Sequence, residues 1–326
     1  MKKAVVTGGY GFIGSNLVRL LLKKKYKVLN IDKLSYSSNR YNLSGIKDKR
    51  YKFIKLDICN QVGLYKILKN FKPDIIFNLA ADTHVDRSID SPNNFIKNNY
   101  YGVFSLLECI RKYEISKSIK LRLVHISTDE VYGDIKNKKK SIEGDTYNPS
   151  SPYSATKGAA DLLIKSYVRT FGTNAIISNC SNNYGPRQFP EKIIPLFTTN
   201  LIDGLNVPIY GDGKNIRDWC HVFDNCTAID LVLREGKLGE IYNIGASNEI
   251  TNLELTHHLL NLTNCDESRI SWVEDRPGHD RRYSINTEKI RGLGWEPKIS
   301  FSDGLAETIR WYQENRLWWE PLKGMP

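Results

Sequence analysis

Three short segments carry residues whose types and spacing could do chemistry. Thr7–Gly14 reads TGGYGFIG, with Gly8, Gly11 and Gly14 three residues apart. Such glycines let the backbone turn tightly, approach a pyrophosphate and pack a helix closely on a strand. The N-terminus of the helix that follows offers N–H groups to phosphates. The chemistry implied is dinucleotide binding. Ser127–Tyr132 reads STDEVY and places Asp129 and Glu130 side by side. Adjacent acids in unequal environments can hold opposite protonation states, one as acid and one as base. A neighbouring carboxylate helps to keep Asp129 protonated. Tyr153 and Lys157, in YSATK, stand four residues apart on one face of a helix that Pro152 suits as a first residue. An ammonium beside a phenol favours the phenolate. A positive nicotinamide nearby would favour it further. Such a tyrosine can take a proton from a substrate hydroxyl as hydride leaves the same carbon. Taken singly, these are a strand–helix turn, an acid pair at a helix start and a surface Tyr–Lys pair. Together they describe a redox site.

The elements that must position them follow from the apolar pattern. Strands are predicted over Lys3–Thr7, Lys27–Ile31, Tyr51–Leu56, Asp74–Leu79, Leu121–Ser127 and Asn174–Cys180. Between them, apolar residues recur at helical spacing, as in Ile13, Leu17, Leu20 and Leu21, or Val103, Leu106, Leu107 and Ile110. The strands are nearly continuous runs of β-branched residues and leucine, the pattern of parallel strands buried on both faces. Strand–helix–strand repetition predicts an α/β fold, a doubly wound parallel Rossmann sheet. Beyond residue 182, Pro186, Pro190, Pro195 and Pro208 break the chain, while a helix over Val222–Glu235 and a strand over Glu240–Ile244 return to the sheet. The reading is an NAD-binding domain of residues 1–182 with roughly 214–246. Residues 183–213 and 247–326 form a smaller interleaved substrate domain. Asp32 ends the second strand, where a carboxylate accepts from ribose hydroxyls and favours NAD over NADP. Asp57-Ile58 could reach the adenine, and the small Ala80-Ala81 after Leu79 lies where a cofactor would pass.

Composition narrows the class. Over 326 residues, 40% hydrophobic and 25% charged content excludes collagen-like and disordered chains. No apolar run approaches the roughly 20 residues of a membrane span. The start, MKKAVVTGG, lacks the apolar stretch of a secretory signal, so the expected location is cytoplasmic. The six cysteines form no C-x-x-C pair and have no histidine cluster beside them, so no metal is expected. The formal charge of +11 invites a nucleic-acid reading, but the lysines lie in short scattered runs such as Lys136–Lys140. Solvated faces, or a field for an acidic small molecule, explain them without nucleic acid.

The chain resembles the extended short-chain dehydrogenase/reductase family, and within it the nucleotide-sugar 4,6-dehydratases. The motifs are TGGYGFIG, NLAADTHVDRS (78–88), STDEVYG (127–133), YSATK (153–157), SNNYGP (181–186), FPEKIIP (189–195), IRDW (216–219) and DRPGHDRRY (275–283). The Asp129-Glu130 pair is the specific part. The resemblance implies that Tyr153 takes the 4-hydroxyl proton of a nucleotide-linked glucose as C4 is oxidised by bound NAD. Glu130 then removes the C5 proton, Asp129 protonates the departing 6-hydroxyl, and hydride returns to C6. Thr128 would hydrogen-bond the 4-hydroxyl and Lys157 would support Tyr153. The resemblance also implies cofactor contacts from Phe12, Ile13, Lys33, Asn98 and Asn183 besides the residues above. For the substrate it implies Thr83, Asn182, Glu191, Lys192, Arg217, Asn252, Arg276 and His279, with Pro208, Ile209 and Tyr210 against the base. Lys192, Arg217 and Arg276 would neutralise the pyrophosphate, with arginine able to do so through two parallel bonds.

Departures from the family pattern include Asp82-Thr83, Arg187-Gln188, Cys220-His221 and Asn98. They leave open whether the nucleotide is dTDP or UDP. A homodimer is expected, with the apolar stripe of Asn98–Lys112 beside the helix of Tyr153. The alternatives are an epimerase or decarboxylase on the same scaffold, or a non-catalytic NAD-sensing regulator.

Overall fold

The computed structural model describes residues 1–136 and 139–323. Two residues of the basic run Lys136–Lys140, Asn137 and Lys138, lie outside the described residues.

The strands of the first half are β1 (Lys3–Thr7), β2 (Lys27–Asp32), β3 (Tyr51–Lys55), β4 (Ile75–Asn78), β5 (Arg122–Thr128) and β6 (Ala175–Cys180). Each lies within one residue of its predicted bounds at either end. β7 (Asn182–Tyr184), β8 (Val207–Tyr210), β9 (Ile216–His221), β10 (Ile241–Ile244), β11 (Glu249–Thr251) and β12 (Ile270–Val273) follow. The central sheet has the order β10-β6-β5-β4-β1-β2-β3, all parallel. Chain reversal after β3 sets the ligand crevice at the carboxyl ends of the strands.

The α-helices are α1 (Phe12–Lys23), α2 (Gln61–Phe71), α3 (Val85–Asp90), α4 (Pro92–Phe95), α5 (Gly102–Lys117), α6 (Pro152–Phe171), α7 (Ile193–Ile202), α8 (Val222–Glu235), α9 (Asn252–Leu262), α10 (Glu288–Arg291), α11 (Phe301–Glu314) and α12 (Arg316–Trp319). Two layers of them cover the sheet. On one face Ala4, Val6, Val124 and Ile176 pack with α1 and α8; on the other, Val5, Ile76, Leu123 and Ile177 pack with α2, α5 and α6. These residues alternate along each strand, as the pleat requires. β3 departs from the two-sided burial expected: as an edge strand it leaves Lys52, Ile54 and Lys55 exposed. The stripe Val103, Leu106, Leu107 and Ile110 is spent on the sheet, with each residue 1% exposed or less.

The segments after β6 form two small sheets, β11-β9-β7 and β12-β8, over a third apolar cluster that includes Phe197, Trp219, Leu255 and Leu259. α6 starts where Pro152 allows. The Ser151 hydroxyl accepts from the Ser154 N–H, and the Ser151 N–H donates back to the Ser154 hydroxyl. That reciprocal cap fixes the turn from which Tyr153 and Lys157 project.

Candidate active site

Two clefts meet at the carboxyl ends of β1, β4, β5 and β6. The first is a groove across the glycine turn. Gly8 has φ +71°, and a Cβ there would stand 2.8 Å from the Ala80 nitrogen. A Cβ on Gly14 would stand 2.2 Å from the Gly8 oxygen. Both glycines are therefore required by close backbone packing, and Gly11 caps α1. Asp32 and Lys33 line the groove with Asp57 and Ile58. Leu79, Ala80, Ala81 and Asn98 form its other wall. Asp32 is held by three donors: Tyr10 N–H at 3.0 Å, Leu34 N–H at 2.8 Å and the Ser38 hydroxyl at 2.8 Å. A carboxylate has about four lone-pair sites, so it can still accept from a ribose. Asn98 sits in a π-helical turn, Ile96–Tyr101, and donates to the Asp82 carboxylate. It lines this groove with Asp57, not the cleft that holds Tyr153. The exposed helix start, the aspartate and the small-residue wall suit a dinucleotide.

The second cleft encloses about 1140 Å³ and continues from Gly11, Phe12, Ile13 and Gly14 to Thr128, Asp129, Glu130, Tyr153 and Lys157. Thr83, Asn182, Asn183, Glu191 and Lys192 complete it. The fold thus brings the three sequence segments together. Thr128 caps the turn Asp129–Tyr132 and stands 3.3 Å from Asp129 Oδ1 and from the Glu130 nitrogen. Asp129 is buried, and its Oδ2 has no hydrogen-bond partner among the described residues. Burial, then Glu130 and Asp218, push its carboxyl well above the usual range. Burial also raises Glu130, which stays above its ordinary value although Lys192, Arg217 and Arg276 oppose the rise. Both carboxyls are thus raised, Asp129 with one cation opposing the rise and Glu130 with three.

Tyr153 departs from the simplest expectation. Burial, then Glu130, hold its phenol well above the ordinary value, and a hydrogen bond with Thr128 only partly offsets this. Lys157 donates to the Ile126 carbonyl at 2.6 Å rather than to the phenol. Burial lowers Lys157 to about 8, against the pull of Asp161.

A third cleft, about 980 Å³, opens from Glu130. Arg217, Arg276, His279 and Asn252 line it, with Pro208, Ile209 and Tyr210 at one end. Arg217 donates to the Asp280 carbonyl at 2.9 Å and stacks 4.1 Å over Tyr283. Arg276 pairs with Asp86 at 2.7 Å, His279 with Asp275 at 2.6 Å, and Lys192 donates to the Thr83 carbonyl at 2.7 Å. Thr251, not Asn252, caps α9, in a reciprocal pair with Glu254. Asn182 lines both clefts, as do Glu191 and Lys192.

Sequence reasoning missed several neighbours. Tyr36 donates to Glu191 at 3.0 Å, and Arg87 stacks 4.1 Å over Tyr36 while pairing with Glu191 at 3.3 Å. Tyr36 follows Asp32 in a serine-rich loop that carried no periodic signal; only its position after a strand end marked it.

The profile of the GDP-mannose 4,6 dehydratase family matches residues 5–308. A dTDP-glucose 4,6-dehydratase of Streptomyces niveus is 47% identical over 98% of this chain and 96% of its own length. The crystal structure of the dTDP-glucose 4,6-dehydratase DesIV from Streptomyces venezuelae, with NAD bound, superposes with a TM-score of 0.94 at 47% identity, covering 98% of this chain and 100% of that one. A UDP-glucose 4-epimerase of Thermotoga maritima superposes with a TM-score of 0.89 at 30% identity, covering 96% of this chain and 99% of that one.

Proposed function

We infer the activity from one premise: this chain belongs to the GDP-mannose 4,6 dehydratase family. It is an NAD-dependent nucleotide-sugar 4,6-dehydratase, a hydro-lyase. The substrate we propose is the relatives' dTDP-glucose, with UDP-glucose as the competitor to be measured beside it. Bound NAD+ supplies the acceptor for the hydride of C4 and the donor that returns it to C6. The residues of the chain do the rest. Gly8, Gly11, Gly14 and Asp32 hold the cofactor. Thr128 orients the 4-hydroxyl, and Tyr153 takes its proton with Lys157 as cationic support. The resulting ketone acidifies C5–H; Glu130 removes that proton and gives it back to C5 when the hydride reaches C6. Asp129, kept protonated by its surroundings, gives its proton to the 6-hydroxyl as water leaves. Arg217, Arg276 and Lys192 meet the diphosphate, and Tyr210 faces the base.

One observation carries this reading: Asp129 and Glu130, adjacent in the chain, are unequally set in the cleft that also holds Tyr153, with three cations facing Glu130 and one facing Asp129. An epimerase shares the fold, but its reaction has no elimination for such a pair to serve. The deciding experiment uses dTDP-glucose deuterated at C4. The label should emerge at C6 of a 4-keto-6-deoxy product. Label retained at C4, or released carbon dioxide, would reject the reading in favour of epimerisation or decarboxylation. The absence of any 4-keto product from either nucleotide would favour the regulator.

In the division we propose, residues 1–182 with 214–246 bind NAD, and 183–213 with 247–326 bind the sugar nucleotide. The protein works in the cytosol; no helix among the described residues is long and apolar enough to cross a membrane. It pairs with a second copy through outward residues of α5 and α6 and of the π-helical turn before α5. Tyr101, Leu162 and Phe171 there are 45%, 57% and 46% exposed. Light scattering that gives a monomer mass would remove the pairing.

A further inference from the structure

The face of the central sheet that packs on α5 and α6 changes character at the carboxyl ends of its strands. Val5, Ile76, Leu123, Ile177 and Ile241 are followed, two residues on and so on the same face, by Thr7, Asn78, His125, Asn179 and Asn243. All five polar residues are 1% exposed or less. They form a buried polar seam across β1, β4, β5, β6 and β10.

The seam's hydrogens can be assigned from its bonds. The Ala80 N–H donates to the Thr7 hydroxyl at 3.2 Å, so that hydroxyl gives its own proton to Asn78 Oδ1 at 2.6 Å. Asn78 Nδ2 then faces His125 Nδ1 at 2.9 Å as donor. A neutral His125 must therefore carry its proton on Nε2. Burial, then Lys157, hold this histidine neutral. Its Nε2 stands 3.5 Å from Lys157 Nζ and 3.5 Å from Asp161 Oδ1. Asp161 lies one turn beyond Lys157 on α6 and is fully buried. Its Oδ2 accepts from the Ser127 hydroxyl at 2.7 Å and the Tyr147 hydroxyl at 3.2 Å. Tyr147 in turn accepts from Asn179 at 3.3 Å.

An unpaired ammonium in such a place would lose its proton. Lys157 faces Tyr153 and Asp161 from its own helix, His125 from β5 and Cys180 from β6. Among the described residues, Asp161 is the only carboxylate whose charge draws Lys157 upward. Asp161 itself faces Lys157 and Lys165 on α6, His125 and Ser127 on β5, and Tyr147 from the loop before α6.

We propose that Asp161 is a positioning residue for the Tyr153–Lys157 pair: its carboxylate, one turn beyond Lys157 on α6 and oriented by Ser127 and Tyr147, is the countercharge that keeps Lys157 an ammonium fixed on the Ile126 carbonyl. The proposal rests on Tyr153 and Lys157 being the proton-transfer pair. Through Asn78 and Thr7, the same seam ties that pair to Ala80 on the cofactor groove wall.

The test is kcat against pH for dTDP-glucose dehydration by NAD-loaded wild type, Asp161→Asn and Asp161→Glu. Asp161 raises the Lys157 pKa, so removing its charge lets the ammonium lose its proton at lower pH. The alkaline limb should move down by about one to three pH units in Asp161→Asn, the range for an opposite charge nearby. Asp161→Glu, which keeps the charge, should restore it. An alkaline limb unmoved in Asp161→Asn, or moved equally in Asp161→Glu, overturns the proposal. A merely structural Asp161 would lower Tm without moving the limb. A wild type inactive on dTDP-glucose and UDP-glucose would reject the functional reading instead. The countercharge is then decided by NMR titration of Lys157 Nζ and the Asp161 carboxyl in the wild type, which needs no turnover and no variant that folds. Lys157 should stay charged up to about 8 and Asp161 should ionise near 6. A neutral Lys157 or a protonated Asp161 at neutral pH overturns the proposal.

Discussion

The cofactor groove and the substrate cleft share an edge but are built by different means. The groove is shaped by backbone. Gly8 and Gly14 let strand, turn and helix approach so closely that a single Cβ would collide, and the wall is Ala80-Ala81. The cleft is shaped by charge. Arg276 is paired with Asp86, Lys192 with the Thr83 carbonyl, and Glu191 with both Arg87 and Tyr36. Partly exposed pairs of this kind contribute little to stability and can be exchanged for a diphosphate at small cost. A rigid groove suits a cofactor that stays bound through a redox-neutral cycle. An exchangeable ionic cleft suits a substrate that comes and goes at every turnover.

That contrast can be broken by substitution. The largest effect is expected from Glu130→Gln in the cleft. Loss of a positioned base should lower kcat by about 10²–10⁴-fold, while C4 oxidation continues and reduced-cofactor absorbance builds up. Dehydration at the wild-type rate would show that the base is another residue. Arg276→Ala should come next. Hydrogen bonds to charged groups contribute about 1.5–3 kcal/mol, so KM should rise roughly ten- to a hundred-fold, with NAD content unchanged. A fall in bound NAD here would erase the distinction between the two regions. Gly14→Ala should have the smallest effect, about 1–3 kcal/mol of overpacking. It should be seen as a lower Tm and as NAD lost on gel filtration. A variant that keeps both would show that the backbone contact is not what holds the cofactor.

The legibility of the sequence follows the same division. The central strands were readable because runs such as AVV and IIF are buried on both faces, and Val222–Glu235 was readable because its start and stop are marked. The glycine turn, the acid pair and YSATK were readable because their spacing is local. The short strands β7, β9 and β11 were not, since three to six residues carry no period. The apolar stripe after Asn98 suits a subunit contact in sequence, which alone cannot say that the core under the sheet consumes it. The polar seam was invisible for a different reason. One Thr, Asn or His at the end of each strand looks like noise until strands 47 to 71 residues apart are laid side by side.

β10 is a four-residue edge strand reached only after the chain has left the sheet, built β7, β8 and β9, and come back through α8. A cut after residue 182 would therefore leave β6 with an open flank and α1 without the helix that covers it. The two halves should not be obtainable as separate soluble fragments. A shuffled or grafted version of this enzyme would have to carry residues 183–246 as a single cassette.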